Sequence, residues 1–366
     1  MATKVVVIQN SIKTARLFRS SYIKKLIDSG FSVSIIAPND CVDSINYFNS
    51  MGVVVHKVPI MKGYFSFLSS IFFMNWFIFN YRIRNIRVIF ICHFLATFIL
   101  TYLALIPFNR KCIVYIEGLG TIFSTNRFFQ RILKVMLVKN RVKRLFCNSS
   151  ERVAIGLDSD IVTNGIGVDL SKFRFSYSSE KQTHFQLLYV GRLIRDKGVI
   201  DAVSVLRTLL SRGYNVYLDL VGEVYLNNPS SINDEQIRQF KEEFGDKINF
   251  AGYSDNIQYW YEKSDLLLLP SIREGFPVCV MEANAMGIPA ICYDVPGCSD
   301  AIESGVNGYL VTPFDFDAYV NVVSNLLDAK LLYSISKTSC LYANKNFDAD
   351  IKSAELIGLV KSLNDH

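Results

Sequence analysis

Two glutamates, Glu274 and Glu282, bracket the stretch REGFPVCVMEA (273–283), with a glycine, an aromatic and a proline just inside the first. The strand-like run Leu266–Leu269 ends at Pro270, and the loop after it carries Glu274. Pro277 suits a first helical position, where no N–H is needed. The helix is expected to run to Met286 and stop at Gly287. Glu282 then lies about one turn inside, its side chain leaning back toward the helix start. A carboxylate at a helix start can simply complement the dipole. That accounts for Glu274 but not for a second acid on the same face.

A second cluster lies in LLYVGRLIRDKGVIDAV (187–203). A strand ends at Val190, Gly191 permits a turn, Arg192 and Lys197 follow, and Gly198 opens a helix. Free N–H groups and the dipole at such a start favour an anion. Two long cations there suit a diphosphate, Arg192 through a bidentate fork and Lys197 as a point charge. The Walker pattern is absent, and an ordinary βα turn with solvated bases would read the same way.

These loops need elements to hold them. Short β-branched runs (5–9, 33–37, 53–58, 88–92, 112–116, 145–148 and 160–164) alternate with helical patterns, and the rhythm restarts at 185–190, 216–221, 247–252, 265–270 and 289–294. Such alternation argues parallel sheets covered on both faces. Residues 171–183, polar and Ser-rich, read as a linker. The expected architecture is α/β, two doubly wound Rossmann-like domains facing across a cleft. Residues 1–172 form the first, 173–345 the second, and 346–366 a C-terminal helix able to pack back on the first. Ligands of such sheets collect at the carboxyl ends of strands.

Composition narrows the class. The chain is 50% hydrophobic and 20% charged, which excludes disorder. Eight Cys without a C-x-x-C pair and only four His suggest neither a zinc site nor a disulfide framework. The start MATKVVVIQN reads as a strand, so export is not expected and the thiols read as reduced and cytosolic. Charge is divided unevenly: residues 1–172 hold 22 Lys and Arg against 8 Asp and Glu, and the remainder is net acidic. Within 127–144 lie seven bases and no acid among helix-period apolars, which suits an anionic membrane surface. A solvated basic face is the plain alternative; nucleic acid is disfavoured because no aromatic platform accompanies the charge. The apolar runs 65–79 and 94–108 fall short of the roughly 20 residues a spanning helix needs. The second reads as buried; for the first, with Arg82, Arg84 and Arg87 behind it, a buried helix and an interfacial segment compete.

The spacing Glu274-x7-Glu282, with its flanks, resembles family 4 of the retaining glycosyltransferases, which have the GT-B fold. TNGIGVDLSKF (163–173), VGRLIRDKG, WYEKSDLLLLPS and PGCSDAIESGVNGYLV share the likeness, which covers the C-terminal half well. It implies that Glu274 accepts hydrogen bonds from hydroxyls of the donor sugar and Glu282 from the ribose. Arg192 and Lys197, with Gly191 and the N–H groups of Gly275, Phe276 and Val278 around Pro277, would hold the departing diphosphate. Backbone from Phe250 to Tyr253 would read the base. It implies a UDP-sugar donor, no cofactor or metal, and retention by attack on the face the diphosphate leaves, a phosphate oxygen taking the proton.

The N-terminal half matches less fully: IQNSIKTARLFR (8–19) stands where the family often has a Gly-Gly turn. Its Leu17-Phe18-Arg19 and IEGLGTIF (116–123) resemble the branch that adds N-acetylhexosamines to polyprenyl diphosphate sugars in bacterial glycan assembly. The likeness assigns Glu117 to the acceptor or the sugar, Arg19 to a lipid diphosphate, and His93 either to the cleft or to a satisfied core position. UDP-GalNAc is the first expectation for the donor, with the enzyme cytoplasmic and held peripherally on the inner membrane. Three D-x-D matches, at 158–160, 315–317 and 348–350, read as chance, the second as a helix cap. A nucleotide-sugar epimerase or hydrolase of the same frame, or a noncatalytic lipid-binding subunit, are the rival readings.

Overall fold

Apolar runs of two to seven residues become thirteen strands in the computed structural model, which describes residues 3–61, 63–84, 87–120, 126–139, 142–174, 184–225 and 228–365. The side chains of Arg82, Asn109, Arg110, Lys139 and Ala329 lie outside the description. So do 121–123 of the IEGLGTIF stretch, 140–141 of the basic segment and 175–183 of the expected linker. The chain divides into two units, Met1–Ile166 with Ala349–His366, and Gly167–Asp348. The division thus falls at 166/167 rather than 172/173, and the C-terminal helix belongs to the first unit.

In the first unit β1 (Lys4–Ile8), β2 (Ser32–Pro38), β3 (Val54–Val58), β4 (Val88–His93), β5 (Cys112–Ile116), β6 (Lys143–Phe146) and β7 (Ile161–Val162) form one sheet in the order β3-β2-β1-β4-β5-β6-β7. In the second, β8 (Phe185–Val190), β9 (Val216–Val221), β10 (Ile248–Gly252), β11 (Leu266–Leu269), β12 (Ala290–Tyr293) and β13 (Gly308–Val311) take the order β10-β9-β8-β11-β12-β13. Every pair is parallel. Central strands such as Val5–Ile8 and Leu266–Leu269 are buried throughout, which is why they read as continuous apolar runs. Each order reverses once, between β1 and β4 and between β8 and β11, and at such a switch point the loops diverge and leave a crevice.

Alternation along the strands sorts the first unit into two layers. Val6, Ile8, Phe90, Cys92 and Val114 meet Met74 and Ile78 of the helix Tyr64–Ile83, Leu95 and Phe98 of the helix Leu95–Leu105, and Leu133 and Leu137 of the helix Arg127–Lys139. The intervening His93 points the other way, onto the helix Ile12–Asp28. That helix packs against the C-terminal helix Ala349–Asp365, with Lys25 Nζ 2.6 Å from Asp350.

The helix holding the run 65–79 is buried along one stripe and exposed elsewhere. Ser70, Met74, Ile78 and Tyr81 face inward, while Phe65, Phe72 and Trp76 stand 84%, 62% and 49% exposed. The second run is buried at Leu95, Phe98 and Leu105, yet leaves Leu103 exposed. Among the described residues no helix is long and apolar enough to cross a membrane.

The D-x-D matches do local work. Asp315 caps a helix, accepting from Ala318 N at 3.0 Å. Asp160 takes the Arg144 fork at 2.8 Å on each oxygen, and the pair is 9% and 6% exposed. Removing one member of a buried pair strands the other charge, at about 3–5 kcal/mol. Asp160→Ala should therefore lower the urea midpoint of the first unit by an amount equivalent to about 3 kcal/mol, followed by circular dichroism. Asp158→Ala, on the exposed neighbour, should shift it by less than about 0.5 kcal/mol.

Candidate active site

At the second unit's switch point β8 and β11 are hydrogen-bonded neighbours, so their outgoing loops start side by side. The loops then meet backbone to backbone. Gly198, at φ +80°, lies so close to Pro270 that an added Cβ would stand 2.1 Å from its carbonyl oxygen. Ile272 N donates to Asp196 O at 3.1 Å. This approach places Lys197 Nζ 2.7 Å from Glu274 Oε1 and 3.0 Å from the Arg273 carbonyl. The pair is 20% and 13% exposed, accessible yet sheltered from full solvent screening.

Arg192 remains exposed, its guanidinium 5.4 Å from the centre of the Tyr225 ring, and makes no ion pair among the described residues. Beneath it the buried Tyr189 hydroxyl donates to the Arg192 carbonyl at 2.8 Å. Burial pushes this phenol up, with Glu274 reinforcing and Arg192 opposing, so both charges act on one ring. Gly191 is tightly enclosed as well: a Cβ on Gly222 would meet its carbonyl oxygen at 1.8 Å.

The helix after Glu274 begins at Val278, with Pro277 at the N-cap and ψ 111°, one position earlier than the first-turn place expected of it. It ends at Ala285; Gly287, at φ +75°, donates to Asn284 O at 2.9 Å and Ile288 to Ala283 O at 2.8 Å, a Schellman stop. Glu282 receives the Tyr261 hydroxyl at 2.9 Å. Burial pushes its carboxyl up to about 7 against that hydrogen bond. The thiol of Cys279, raised first by burial, also feels Glu274 and Glu282 raising it and Lys197 lowering it. The two carboxylates and the lysine therefore share one neighbourhood. Phe276 packs edge-on against Phe347 at 5.9 Å, and Tyr253 stands 44% exposed just past the end of β10.

Sequence reasoning did not single out Gly297, Tyr261 or Tyr189. Gly297 sits at φ +85°, and a Cβ there would stand 2.5 Å from Gly275 O and 2.7 Å from Glu274 O. The turn PGCSD thus supports the Glu274 loop from behind. Its signal was the Pro-Gly pair after β12. The two tyrosines had none, since buried tyrosines in strands and helices are ordinary core.

In the first unit Arg19, His93 and Glu117 also come together, but as a closed set. Arg19 lies inside the helix Ile12–Asp28 rather than in a loop, is 1% exposed, and is paired with Glu117 Oε2. The lipid-diphosphate role expected of it fails for want of access. His93 is fully buried; its Nδ1 lies 2.7 Å from Glu117 Oε1 and its Nε2 2.7 Å from the Tyr22 hydroxyl. Burial and the charge of Arg19 push the imidazole down to about 4 against the pull of Glu117. It is neutral, so Nδ1–H donates to Glu117 and Nε2 accepts from Tyr22. Burial works to raise the Glu117 carboxyl, but Arg19 and His93 outweigh it and hold it below the ordinary value. Both Glu117 oxygens are engaged, so neither it nor His93 presents a free group to a ligand. Nearby Glu151 accepts from Leu119 N at 2.9 Å, and burial pushes it up to about 7.

Comparison with known proteins finds similarity to glycosyltransferases. Residues 172–339 match the family model described as Glycosyl transferases group 1. The capsular polysaccharide biosynthesis glycosyltransferase CapM of Staphylococcus aureus is 28% identical over 198 residues, 52% of this chain and 51% of CapM. The N,N'-diacetylbacillosaminyl-diphospho-undecaprenol alpha-1,3-N-acetylgalactosaminyltransferase of Campylobacter jejuni is 24% identical over 351 residues, 88% of this chain and 89% of that protein. The chain spans about half the length of several curated relatives it matches. Among solved structures, Anabaena HepE in complex with UDP superposes with a TM-score of 0.78 at 15% identity, covering 99% of this chain and 100% of that one. The two sheets are those of the GT-B fold, and residues 172–339 are similar to the group 1 glycosyl transferases.

Proposed function

We propose that the protein is a retaining glycosyltransferase that moves a hexose or N-acetylhexosamine from a UDP-sugar onto an undecaprenyl diphosphate linked saccharide, in the assembly of a cell-surface polysaccharide. The observation that carries the reading is the Lys197–Glu274 pair at the second unit's switch point, with Arg192 and Glu282 beside it. UDP-GalNAc is the first donor to test, supported by the name of the Campylobacter relative, whose length the chain nearly spans. The UDP held by the Anabaena neighbour supports a uridine nucleotide.

The residues divide the work. Glu274 receives hydroxyls of the transferred sugar, and Glu282, steadied by Tyr261, receives the ribose. Lys197 and Arg192 neutralise the diphosphate as the bond to the sugar breaks, aided by the first N–H groups of the helix Val278–Ala285. Charge on the leaving oxygen grows toward the transition state, so these donors act more strongly there than on the bound donor. This assigns charge neutralisation to side chains and backbone rather than to a metal. The acceptor hydroxyl enters on the face the diphosphate leaves and passes its proton to a phosphate oxygen. The Arg19–Glu117–His93 set serves the first unit as a positioning network.

An acceptor with a polyprenyl tail is embedded in a bilayer, and we assign the meeting surface to the first unit, on the cytoplasmic side. The helix Arg127–Lys139 exposes Phe128, Phe129, Ile132 and Val135 together with Arg127 and Arg131. It shares a sheet face with the aromatic helix Tyr64–Ile83. Apolar wedges with cations complement anionic headgroups.

Glu274→Ala and Lys197→Ala should each cut kcat/KM for transfer at least about 100-fold with circular dichroism unchanged, in an assay of UDP-sugars against a lipid diphosphate monosaccharide. UDP release at full rate without acceptor would favour the hydrolase reading instead. Ribose hydroxyls favour the ionised Glu282, whose free-site carboxyl titrates near 7. UDP affinity should therefore fall about tenfold more between pH 8 and pH 6 in the wild type than in Glu282→Gln, read by calorimetry. Binding to anionic vesicles should weaken in high salt and on replacing Arg127 and Arg131 by Gln, read by vesicle sedimentation.

A further inference from the structure

A cavity of about 500 Å³ opens beside the aromatic helix, at the amino-terminal edge of the first unit's sheet. Lys4 of β1, Val54 and His56 of β3, and Trp76, Asn80, Tyr81 and Arg84 at the end of the helix Tyr64–Ile83 are among its walls. Two walls are cationic and none is acidic. Lys4 and Arg84 make no ion pair among the described residues; Lys4 Nζ lies 5.8 Å from the centre of the Tyr81 ring. Arg84 has a second reason to be there, since a cation complements a helix C-terminus. Lys4 comes from a strand and has no such reason. His56 Nε2 lies 2.9 Å from the Tyr81 hydroxyl, and burial first, then Lys4, holds the imidazole below its usual value, so it adds hydrogen-bonding capacity rather than charge. The cavity thus offers a guanidinium fork, an ammonium and neutral polar groups to a compact anion, which is phosphate chemistry.

Its position selects the source. Trp76 forms one wall and is also half-exposed on the apolar face that carries Phe65, Phe72 and Phe79. A tryptophan at such a rim sits where headgroups meet acyl chains. We propose that this cavity binds the phosphate headgroup of a single anionic phospholipid, clamped by Lys4 and Arg84, while the aromatic face beside it enters the acyl layer. This deepens the membrane reading above and rests on it.

Trp76 and Trp260 are the chain's two tryptophans. A Trp260→Phe background therefore makes Trp76 the reporter. Emission should shift saturably with monomeric dihexanoyl phosphatidylglycerol, and at least tenfold more weakly with dihexanoyl phosphatidylcholine or inorganic phosphate. Arg84→Gln and Lys4→Gln, singly, should each weaken the phosphatidylglycerol response at least fivefold. Equal affinity for the two lipids, saturation by inorganic phosphate alone at the same affinity, or unchanged binding in both variants would overturn the proposal. Phe65→Ser/Phe72→Ser tests the apolar face separately: it should lose binding to vesicles of phosphatidylcholine with 30% phosphatidylglycerol while keeping the monomer response. Vesicle binding retained in that variant would overturn entry of the aromatic face into the acyl layer, and absence of vesicle binding in the unsubstituted protein would remove the membrane reading on which the proposal rests.

Discussion

Much of the second unit's candidate site follows from one constraint, the backbone-to-backbone approach of the loops leaving β8 and β11. Adjacent parallel strands bring two loop origins close together, but side chains normally keep the loops themselves apart. Here glycine removes that spacer twice. Gly198 lets the first loop touch Pro270, and Gly297 lets the turn after β12 press on the carbonyls of Glu274 and Gly275. Lys197 and Glu274 then meet at 2.7 Å without either side chain being forced far from its own loop. A partly shielded pair of this kind gives little net stability, since desolvation offsets most of the attraction. Its value on the proposed reading is orientation: each member is held by a partner that a sugar hydroxyl or a phosphate oxygen can replace.

The first unit shows the opposite solution at its own switch point. His93 ends β4 and Glu117 follows β5, in the places where a ligand group would be looked for, yet they are satisfied by one another, by Arg19 and by Tyr22. A buried ion pair is costly unless its remaining donors and acceptors are met. Both Glu117 oxygens and both His93 ring nitrogens are met in this set, while the Arg19 Nε has no hydrogen-bond partner. With the imidazole neutral and its tautomer set by Glu117, the network is rigid and polar rather than reactive. Such a network fixes the loop that starts at Glu117, and Glu151 grips the same loop two residues further on through Leu119 N.

The alternating rhythm of short apolar runs and helical patterns made the fold legible, because parallel strands buried on both faces leave a continuous hydrophobic signature. Motifs in which spacing itself encodes geometry were legible too: Gly287 stops its helix, and Asp315 caps one. What stayed hidden depends on depth and direction. Ser11, which accepts from Thr14 N, marks locally that the helix begins at Ile12, but nothing local marks Arg19 as a buried residue of that helix rather than a loop cation. Its burial is set by Glu117, 98 residues away in the chain. Pro277 differs from expectation by one position, within the usual uncertainty of helix ends. Tyr261 supports Glu282 from another helix entirely, a contact no spacing rule contains.

The same limit explains why the aromatic run could not be decided from its residues. A helix of Phe, Ile, Trp and Tyr all round has too little polar contrast for periodicity to say which side is buried. The sheet decides it: Val6, Ile36, Phe90 and their neighbours accept only the stripe through Met74, Ile78 and Tyr81. Phe65, Phe72, Trp76 and Phe79 are left facing out, on the domain that also carries the excess of bases. Contiguous exposed aromatics are costly in water and usually mark a contact surface. A bilayer carrying negative charge satisfies both features at once, which neither a protein partner of mixed charge nor plain solvent does. On the proposed function the acceptor itself supplies the reason for that surface, because a sugar tethered to a polyprenyl diphosphate can be reached only by an enzyme that works at the lipid headgroups.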